Sequence, residues 1–290
     1  MINSYDFKIA HPKTFKQVCS HDRLLVHYKC PQNTEHLNVF NHYNDIVFTL
    51  DGKKKLHHDL KTVELTSNQA VFVRKSAFTQ EMYYTAGWEV IALSLSDDYL
   101  KQLLHQFQAS ISVSDVPEPT ADMLLEIHVN DRLKTCFLSM LTYMDDSQSK
   151  NLDDILDLKF RELVYNIITD PKNKAILAYL VHLTDQVKIP IWEIMDANYM
   201  YNLTIEEYAR LAGRSLASFK RDFKEYYRTS PGKWLKEKRL YRAKNYLVSS
   251  NKQISEIAFI CGFENLSHFS RIFKDTYHMS PKAFRLSKKV

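Results

Sequence analysis

Residues 254–281 read ISEIAFICGFENLSHFSRIFKDTYHMSP and nearly repeat residues 205–231, which read IEEYARLAGRSLASFKRDFKEYYRTSP. Matching isoleucine, glutamate, alanine and glycine residues come first. Matching leucine, phenylalanine, arginine, lysine, tyrosine and Ser-Pro residues follow after one inserted residue. Each copy is typical of a short helix, a turn with glycine, a second helix and a Ser-Pro pair that begins another helix. The repeat therefore predicts two helix-turn-helix motifs.

The second helix of each copy has two chemically different faces. At about 100° per residue, apolar side chains gather on one face, and in the second copy Leu266 falls on this face. The opposite face carries small, polar and basic side chains, which are Arg214, Ala217, Ser218, Arg221 and Arg228 in the first copy and Ser267, His268, Arg271, Lys274 and His278 in the second. We expect the apolar faces to pack and the basic faces to meet DNA. Residues 231–248 predict one connecting helix, long enough to hold two recognition helices about one DNA turn, ~34 Å, apart.

The charge of the chain is concentrated in the same region. Residues 191–290 contain 19 lysines and arginines against 10 aspartates and glutamates, whereas the first 190 residues contain 20 against 24. A basic block suits a phosphate backbone, although it can also mark a solvated surface. Together with the repeat, it favours nucleic acid as the partner of the C-terminal third.

Residues 191–286 resemble the complete DNA-binding domain of the AraC/XylS family. The resemblance is carried by the run Ala258-Phe259-Ile260-Cys261-Gly262-Phe263 and by Phe269, Arg271, Phe273, Lys274 and Ser280-Pro281. It implies base contacts at Ala217, Lys220 and Arg221 in the first recognition helix and at Leu266, Ser267, His268, Ser270 and Arg271 in the second. Leu266 is left out because the helical wheel places it on the packed face. The candidate DNA-binding residues are therefore Arg214, Ala217, Ser218, Lys220, Arg221, Ser267, His268, Ser270, Arg271 and Lys274.

Each candidate also has an interpretation without base recognition. Arg221 and Arg271 can lie on a solvated helix face or pair with a neighbouring acid, but their recurrence at one repeat position favours DNA contact. His268 can be a surface side chain or a cap at the turn. The lysine and serines of the set can touch phosphate alone, and Ala217 offers only a methyl group.

Residues 22–96 contain short segments rich in β-branched and aromatic residues, which predict the strands of a sandwich or barrel. Asp51-Gly52 is a hairpin-turn signal that would place the lysines at 53–55 at a solvated tip. Later in the chain, apolar residues three and four apart predict helices at 97–107, 121–144, 152–168 and 174–183. The expected fold class is α+β: a cupin-like N-terminal β-barrel or sandwich with a helical layer, then an all-α domain with two helix-turn-helix motifs joined by a linker helix.

The N-terminal residues resemble the cupin-like sensor domains of the same family through less specific features. The stretch AVFVRKSAFTQEMYY, followed by the Trp88 strand and the helix start at Asp97-Asp98, is most similar to ExsA-related regulators. In that group the N-terminal domain responds to protein partners. We expect a cupin-like regulatory domain at 1–110, a helical part at 111–187 that is a candidate for dimerisation, and an AraC-type double helix-turn-helix DNA-binding domain at 191–290.

These features predict a sequence-specific regulator of transcription, and an activator, that reads two adjacent major grooves. Its N-terminal domain would control DNA binding through a small effector, a partner protein or dimerisation. The expected partners are double-stranded DNA, RNA polymerase, such an effector and a second copy of the chain. No cofactor and no enzymatic activity are expected. Two alternatives stay open: a cupin-type metal enzyme fused to a DNA-binding module, and an architectural protein that binds DNA without regard to sequence.

Metal and ligand sites in the β-rich region have only weak signals. The histidines His27, His36, His42, His57 and His58 lack the His-x-His and glutamate spacing of a catalytic cupin, so no metal is expected. Aromatic residues that either line a pocket or form plain core are Tyr28, Phe48, Phe72, Tyr83, Tyr84 and Trp88. The apolar stripe of the helix at 152–168 is expected to pack on the β domain, with dimerisation as the alternative.

Localisation and redox state follow from what the chain lacks. It has no apolar run of about 20 residues, and its first residues lack the apolar stretch of a signal peptide, so we expect a cytoplasmic protein without membrane contact. Its four cysteines show no C-x-x-C spacing, which indicates free thiols and neither a disulfide framework nor a zinc site.

Overall fold

The computed structural model describes residues 1–20, 23–30, 36–83, 87–111, 116–144, 151–185 and 188–288. The chain divides into two units, Met1–Lys188 and Ile189–Val290. The first unit combines strands with a layer of helices, and the second contains helices throughout its described residues. The predicted α+β fold class is confirmed.

The N-terminal unit contains ten strands within the described residues. In chain order they are β1 (Ile2–Asn3), β2 (Lys16–Ser20), β3 (Arg23–Cys30), β4 (His36–Asn41), β5 (Asn44–His58), β6 (Lys61–Thr66), β7 (Ala70–Val73), β8 (Ser76–Met82), β9 (Trp88–Leu95) and β10 (Leu124–Ile127). β3, β5–β7 and β9 lie where β-branched and aromatic residues predict strands, and β8 overlaps the predicted segment at 81–85 only at its end. β1, β2 and β4 are additional strands that the sequence pattern does not mark.

Strand β5 is shared by two sheets. Its first half pairs antiparallel with β7 and β9, and its second half pairs antiparallel with β6 and β8. The register shifts between Thr49 and Asp51, and a bulge of this kind bends a strand. The bend carries β5 from the sheet that includes β3 and β9 to the sheet that includes β4 and β8. Apolar side chains of both sheets, such as Leu24 and Leu56, form the core between them.

The predicted hairpin turn at Asp51-Gly52 is wrong. Both residues lie inside β5, where Gly52 has φ +81°. A Cβ atom on Gly52 would stand 1.7 Å from the carbonyl oxygen of Gly87, so the glycine permits a close approach of two strands at the bulge. The chain turns instead at Asp59, whose φ is +51°, before β6 begins. The lysines at 53–55 are therefore strand residues and not a solvated tip.

Five described helices complete this unit: α1 (Ser4–Ala10), α2 (Asp97–Phe107), α3 (Asp131–Met140), α4 (Leu152–Ile168) and α5 (Lys174–Thr184). The prediction of one helix over 121–144 is wrong, because Leu124–Ile127 form β10 and pair antiparallel with β7. α3 begins only after Asn130, whose side chain accepts a hydrogen bond from the backbone N–H of Leu133 at 2.9 Å. A run as short as LLEI fits a strand or a helix, and the free edge of β7 decides between them.

The helices pack against the sheet through aromatic contacts. Phe48 of β5 stacks on Phe137 of α3 with ring centroids 4.4 Å apart. Tyr179 of α5 lies 5.6 Å from the ring of Phe72, and its hydroxyl donates to Asn44 Oδ1 at 2.8 Å. α4 buries most of its apolar stripe inside the unit, and its exposed exception is Leu158, at 64%.

The C-terminal unit is a succession of helices. They are α6 (Ile191–Asn198), α7 (Ile205–Leu211), α8 (Leu216–Tyr227), α9 (Pro231–Ser249), α10 (Ile254–Ile260), α11 (Leu266–Tyr277) and α12 (Pro281–Lys288). The predicted connecting helix is α9, whose 19 residues span roughly 28 Å at 1.5 Å per residue. In the described part of the chain, every helix is too short or too polar to span a membrane.

Candidate nucleic-acid interface

The two copies of the repeat adopt the same turn. The first helix of each copy ends before a glycine with a left-handed backbone, Gly213 at φ +61° and Gly262 at φ +83°. The N–H of the residue after each glycine donates to the carbonyl five residues earlier, at 2.9 Å in the first copy and 3.0 Å in the second. These hydrogen bonds satisfy carbonyls at the helix end and fix the direction of the next helix. The predicted helix-turn-helix geometry is confirmed in both copies.

Side-chain caps fix the start of α7 and of both second helices of the repeat, α8 and α11. Thr204 and Glu207 form the capping box that their spacing predicts at the start of α7. Ser215 caps α8 by accepting from the N–H of Ser218, and Asn265 caps α11 by accepting from the N–H of His268. Both candidate recognition helices therefore begin at a defined residue.

The packed faces of α8 and α11 form equivalent aromatic clusters. Phe223 and Phe273 are fully buried, and each lies 4.6 Å from the tyrosine that ends its helix. Trp234 contacts Phe223, and Phe284 contacts Phe273, each from the third position after the proline of a Ser-Pro pair. The repeat therefore extends into the helix that follows each Ser-Pro pair. The equal spacing of Trp234 and Phe284 from the two Ser-Pro pairs is the sequence signal for this extension.

Arg214 does not lie on the free face, where the helical wheel places it. Its side chain is 8% exposed and donates to the Asp222 carboxylate at 3.2 Å. It also donates to the backbone carbonyls of Ile189 and Ala212, at 2.8 and 2.9 Å. Burial favours a higher pKa for Asp222, but the hydrogen bond from Arg214 and the charges of Arg214 and Arg221 hold that pKa below its ordinary value. The helical wheel fails here because Arg214 precedes the cap of α8 and so has no helical phase.

The other first-copy candidates lie along α8. Ala217, Lys220 and Arg221 are exposed, and Ser218 is half-buried. Arg221 is 75% exposed while its guanidinium lies 3.4 Å from Asp222 and 3.3 Å from the Ser218 hydroxyl. The alternative ion pair is therefore present, but it leaves the guanidinium in solvent, where it remains free to meet a ligand.

The second-copy candidates lie along α11. Ser267, His268, Arg271 and Lys274 are exposed, and Ser270 is half-buried. Among the described residues, Arg271 has no ion-pair partner, so the alternative pairing that the sequence allows does not form there. This helix thus presents an uncompensated basic side chain at the position that Arg221 occupies in the first copy.

Leu266 is a residue that the helical wheel misplaced. It is 39% exposed as the first residue of α11, where the preceding turn does not cover it. The family resemblance places a base contact at this position, and its exposure is compatible with apolar contact to a thymine methyl group.

The linker helix joins the two copies through an arginine that no motif marks. Arg239 of α9 donates to the backbone carbonyls of Tyr199 and Tyr201, at 2.6 and 2.7 Å. Gly262 lies against the same segment, since a Cβ atom there would stand 2.6 Å from the carbonyl oxygen of Met200. The segment at 199–201 therefore contacts both the linker helix and the turn of the second copy.

The histidines of the N-terminal unit do not converge. Among the described residues, no group of three or more histidine, cysteine, aspartate or glutamate side chains is arranged to hold a metal ion. His27 pairs with Glu89 and His57 with Glu81, each at 2.8 Å. In each contact the histidine and the glutamate lie on neighbouring strands and are joined by a hydrogen bond.

A cavity lies between the two sheets, and Tyr28 and Trp88 are the aromatic candidates that line it. The other described candidates contact different neighbours, which are helix α3 for Phe48, helix α5 for Phe72 and Lys53 for Tyr83. Tyr84 lies outside the described residues. The pocket prediction thus holds for two of these aromatic residues, and packing accounts for the rest.

Family models match both units. The model for the ExsA N-terminal regulatory domain matches residues 44–179, and a helix-turn-helix domain model matches residues 208–287. The chain is 22% identical over 251 residues to the virulence regulon transcriptional activator VirF of Yersinia enterocolitica, covering 86% of this chain and 92% of VirF. Both units of this chain therefore resemble those of AraC/XylS regulators, and the N-terminal unit matches the ExsA type.

Two further comparisons span most of the chain. The chain is 21% identical over 250 residues to the regulator ExsA of Pseudomonas aeruginosa, covering 86% of this chain and 88% of ExsA. An apo ToxT variant from Vibrio cholerae matches with a TM-score of 0.44 at 15% identity, over 91% of this chain and 97% of ToxT. This chain is a DNA-binding transcription regulator, and the relatives that it matches are regulators and not enzymes. The alternative of a cupin-type enzyme is thereby set aside.

Proposed function

We propose that this AraC/XylS regulator binds a specific DNA site by placing α8 and α11 in two successive major grooves, and that it activates transcription there. The residues proposed to contact DNA lie on the exposed faces of these helices and are Ala217, Ser218, Lys220, Arg221, Ser267, His268, Ser270, Arg271 and Lys274. We assign Arg214 a structural role at the turn in place of a DNA contact.

The observation that supports this proposal most is the equivalence of two exposed basic faces. Arg221 and Arg271 occupy the same repeat position on helices with the same turn, the same kind of cap and the same aromatic backing. A helix of this kind enters a major groove, where an arginine can bind the O6 and N7 atoms of guanine in a bidentate manner. Two such helices in one chain suit two half-sites on one side of a duplex.

We further propose a division of labour along the chain. Residues 191–290 bind DNA, residues 1–110 form the regulatory domain, and residues 111–187 complete it and provide a candidate dimer surface. The N-terminal unit would bias DNA binding through a small effector, a partner protein or a second copy. VirF is named as a transcriptional activator, which supports activation. We propose that the chain acts in the cytoplasm and contacts RNA polymerase there.

The test is selection from a randomised DNA pool with the full chain at physiological salt, followed by sequencing. We expect two short conserved elements about 10 base pairs apart. Arg221→Ala should relax the preference in one element and Arg271→Ala in the other. Lys13→Ala, a change of an exposed residue in the N-terminal unit, serves as the charge-matched control and should leave both elements intact.

Two outcomes would overturn the proposal. Recovery of no shared motif, with binding that falls steeply as salt rises, would indicate an architectural protein held by phosphate contacts. A single conserved element that only one arginine substitution alters would show that one helix reads DNA and the other does not.

A further inference from the structure

The space between the two sheets of the N-terminal unit is not filled by side chains. It contains a cavity of about 180 Å³, whose walls are mainly apolar and include Val26, Val47, Leu56, Phe78 and Val90. Native cores rarely leave a void larger than one water molecule. One water molecule needs only about 10–15 Å³ of such space, so the cavity has room for several. It is therefore large enough for a small ligand.

Lys54 of β5 is the unexpected member of the cavity wall. Strand alternation turns Lys54 and Leu56 inward, while Lys53 and Lys55 are partly exposed. The residue is 3% exposed, and its Nζ atom lies 3.9 Å from the centroid of the Trp88 ring. Within the described residues, the ammonium group of Lys54 has no carboxylate partner and donates no hydrogen bond. A buried ammonium in this position is costly unless an anion joins it.

The neighbouring charges do not compensate Lys54. Lys8 of α1 also lines the cavity, but its ammonium pairs with the Asp45 carboxylate at 3.0 Å, and both side chains are buried. Those two charges balance each other, so the charge of Lys54 is left over. The other titratable side chains that line the cavity are Tyr28 and Cys30. Burial raises the pKa of Tyr28 above its ordinary value, so Tyr28 supplies no negative charge at pH 7.

The environment of Lys54 has a measurable signature. The pKa of Lys54 is lowered to about 8, mainly by burial; Cys30 raises this pKa and the charge of Lys8 lowers it. The group is therefore mostly protonated at pH 7 and loses its charge at mildly alkaline pH. A bound anion would favour the charged form.

We propose that this cavity binds a small monocarboxylate with an apolar body, whose carboxylate pairs with Lys54 and whose body lies among the apolar walls of the two sheets. One uncompensated ammonium matches one negative charge, and apolar walls exclude polyanions such as nucleotides. The volume favours a short aliphatic or single-ring acid. The inference rests on the proposed function, because it names the effector class through which the N-terminal unit would control DNA binding.

The test is calorimetric titration of the full chain, stripped of bound organic acids, with hexanoate as the probe. Hexan-1-ol and hexylamine have the same chain without the negative charge. We expect the wild type to bind hexanoate at least tenfold more tightly than hexan-1-ol or hexylamine. Lys54→Met, which keeps the length of the side chain, should lose at least tenfold in hexanoate affinity and retain its affinity for hexan-1-ol. Lys13→Met, a change of an exposed lysine in the same unit, should bind like the wild type.

A pH series on the wild type provides a second, independent measurement. Hexanoate affinity should be constant near pH 7 and fall as the pH rises past about 8, because Lys54 then binds no proton in the free protein. Hexan-1-ol affinity should not follow this curve. This series decides the question if Lys54→Met fails to fold. Equal affinity of the wild type for hexanoate and hexan-1-ol, or unchanged hexanoate affinity in folded Lys54→Met, would overturn the proposal.

The ligand and DNA experiments fail separately. If DNA selection recovers paired elements while hexanoate does not bind, the proposed DNA recognition stands and the effector inference is wrong. If hexanoate binds through Lys54 while selection recovers no motif, the cavity assignment stands and the proposed function is wrong.

Discussion

The two helix-turn-helix copies have the same backbone geometry at the turn but different side-chain contacts there. After the turn glycine, the first copy has Arg214 and the second has Phe263, and the N–H of each makes the same backward hydrogen bond. Arg214 pairs with Asp222 on α8. At the matching position on α11 stands Ile272, which packs against the apolar cluster that contains Phe263. One copy therefore uses a buried ion pair where the other uses apolar contact.

This difference shows which interactions define the motif. The turn glycine, the cap and the paired aromatic residues are common to both copies, so they suffice to set the geometry. The position under the turn is free to be ionic or apolar, as buried ion pairs and apolar pairs of similar volume are often close in stability. The two copies should consequently respond differently to substitution and to pH.

The largest effect is expected at the turn glycines. Gly262→Ala should lower the free energy of unfolding by about 3–4 kcal/mol, because it adds a left-handed penalty and a clash with the Met200 carbonyl. Gly213→Ala should cost only about 1–2 kcal/mol, since its Cβ atom would meet nothing within 4 Å. Urea unfolding of the full chain, combined with hydrogen exchange of α7 and α10, measures both. Equal costs would show that the two turns are packed alike.

The ion pair of the first copy should make that copy sensitive to acid. Asp222→Ala should lower the free energy of unfolding by about 2–3 kcal/mol at pH 7, because the buried guanidinium of Arg214 loses its carboxylate. The folded pKa of Asp222 lies below its unfolded value, so its contribution is present at neutral pH and is lost as the pH falls through that lowered pKa. The gap between wild type and variant should therefore shrink on acidification.

Urea unfolding at several pH values measures this effect. Ile272→Val is the matched control in the second copy, with an expected loss of about 1 kcal/mol at every pH. A loss for Asp222→Ala that stays constant down to pH 2 would contradict the assignment of the ion pair.

Substitution of Arg221 or of Arg271 should weaken DNA binding by comparable amounts, and each loss should fall at a different base pair. Arg271→Ala and Arg221→Ala should each cost about 1–3 kcal/mol at one base pair of the selected site if they read bases. Binding to single-substitution operators by fluorescence anisotropy measures where each loss falls. If either residue touches phosphate only, its substitution should weaken all sequences equally and reduce the salt dependence.

The smallest effect is expected at the ends of the recognition helices, where both copies place a non-glycine residue in a left-handed conformation. Arg228 has φ +56° and His278 has φ +59°. Arg228→Gly and His278→Gly should each raise the free energy of unfolding by about 0.5–1 kcal/mol, because glycine adopts this conformation without steric penalty. Lys236→Gly inside α9 is the control and should lower it by about 1 kcal/mol. A loss of stability in both end variants would show that the side chains hold the caps.

Sequence reasoning was strongest where local signals agree with one another. The repeat, the capping residues and the turn glycines lie within a few residues of one another, and they predict both helix-turn-helix motifs. It was weakest where one short segment had two possible partners. The sequence at 124–127 is compatible with a helix, and pairing with β7 makes it a strand. The sequence Asp51-Gly52 is compatible with a turn, and pairing with β9 makes it part of β5.

The sequence by itself determined the class of protein, because a duplicated pattern of turn, cap and aromatic residues needs only local physics to specify its helices. It also determined which two helices carry exposed arginines at matched positions. Only the tertiary structure decided that Arg214 is buried beside Asp222, that Leu266 is exposed and that Lys54 points into a cavity. Burial depends on residues far apart in the chain, and a helical wheel or a turn signal carries no information about those neighbours.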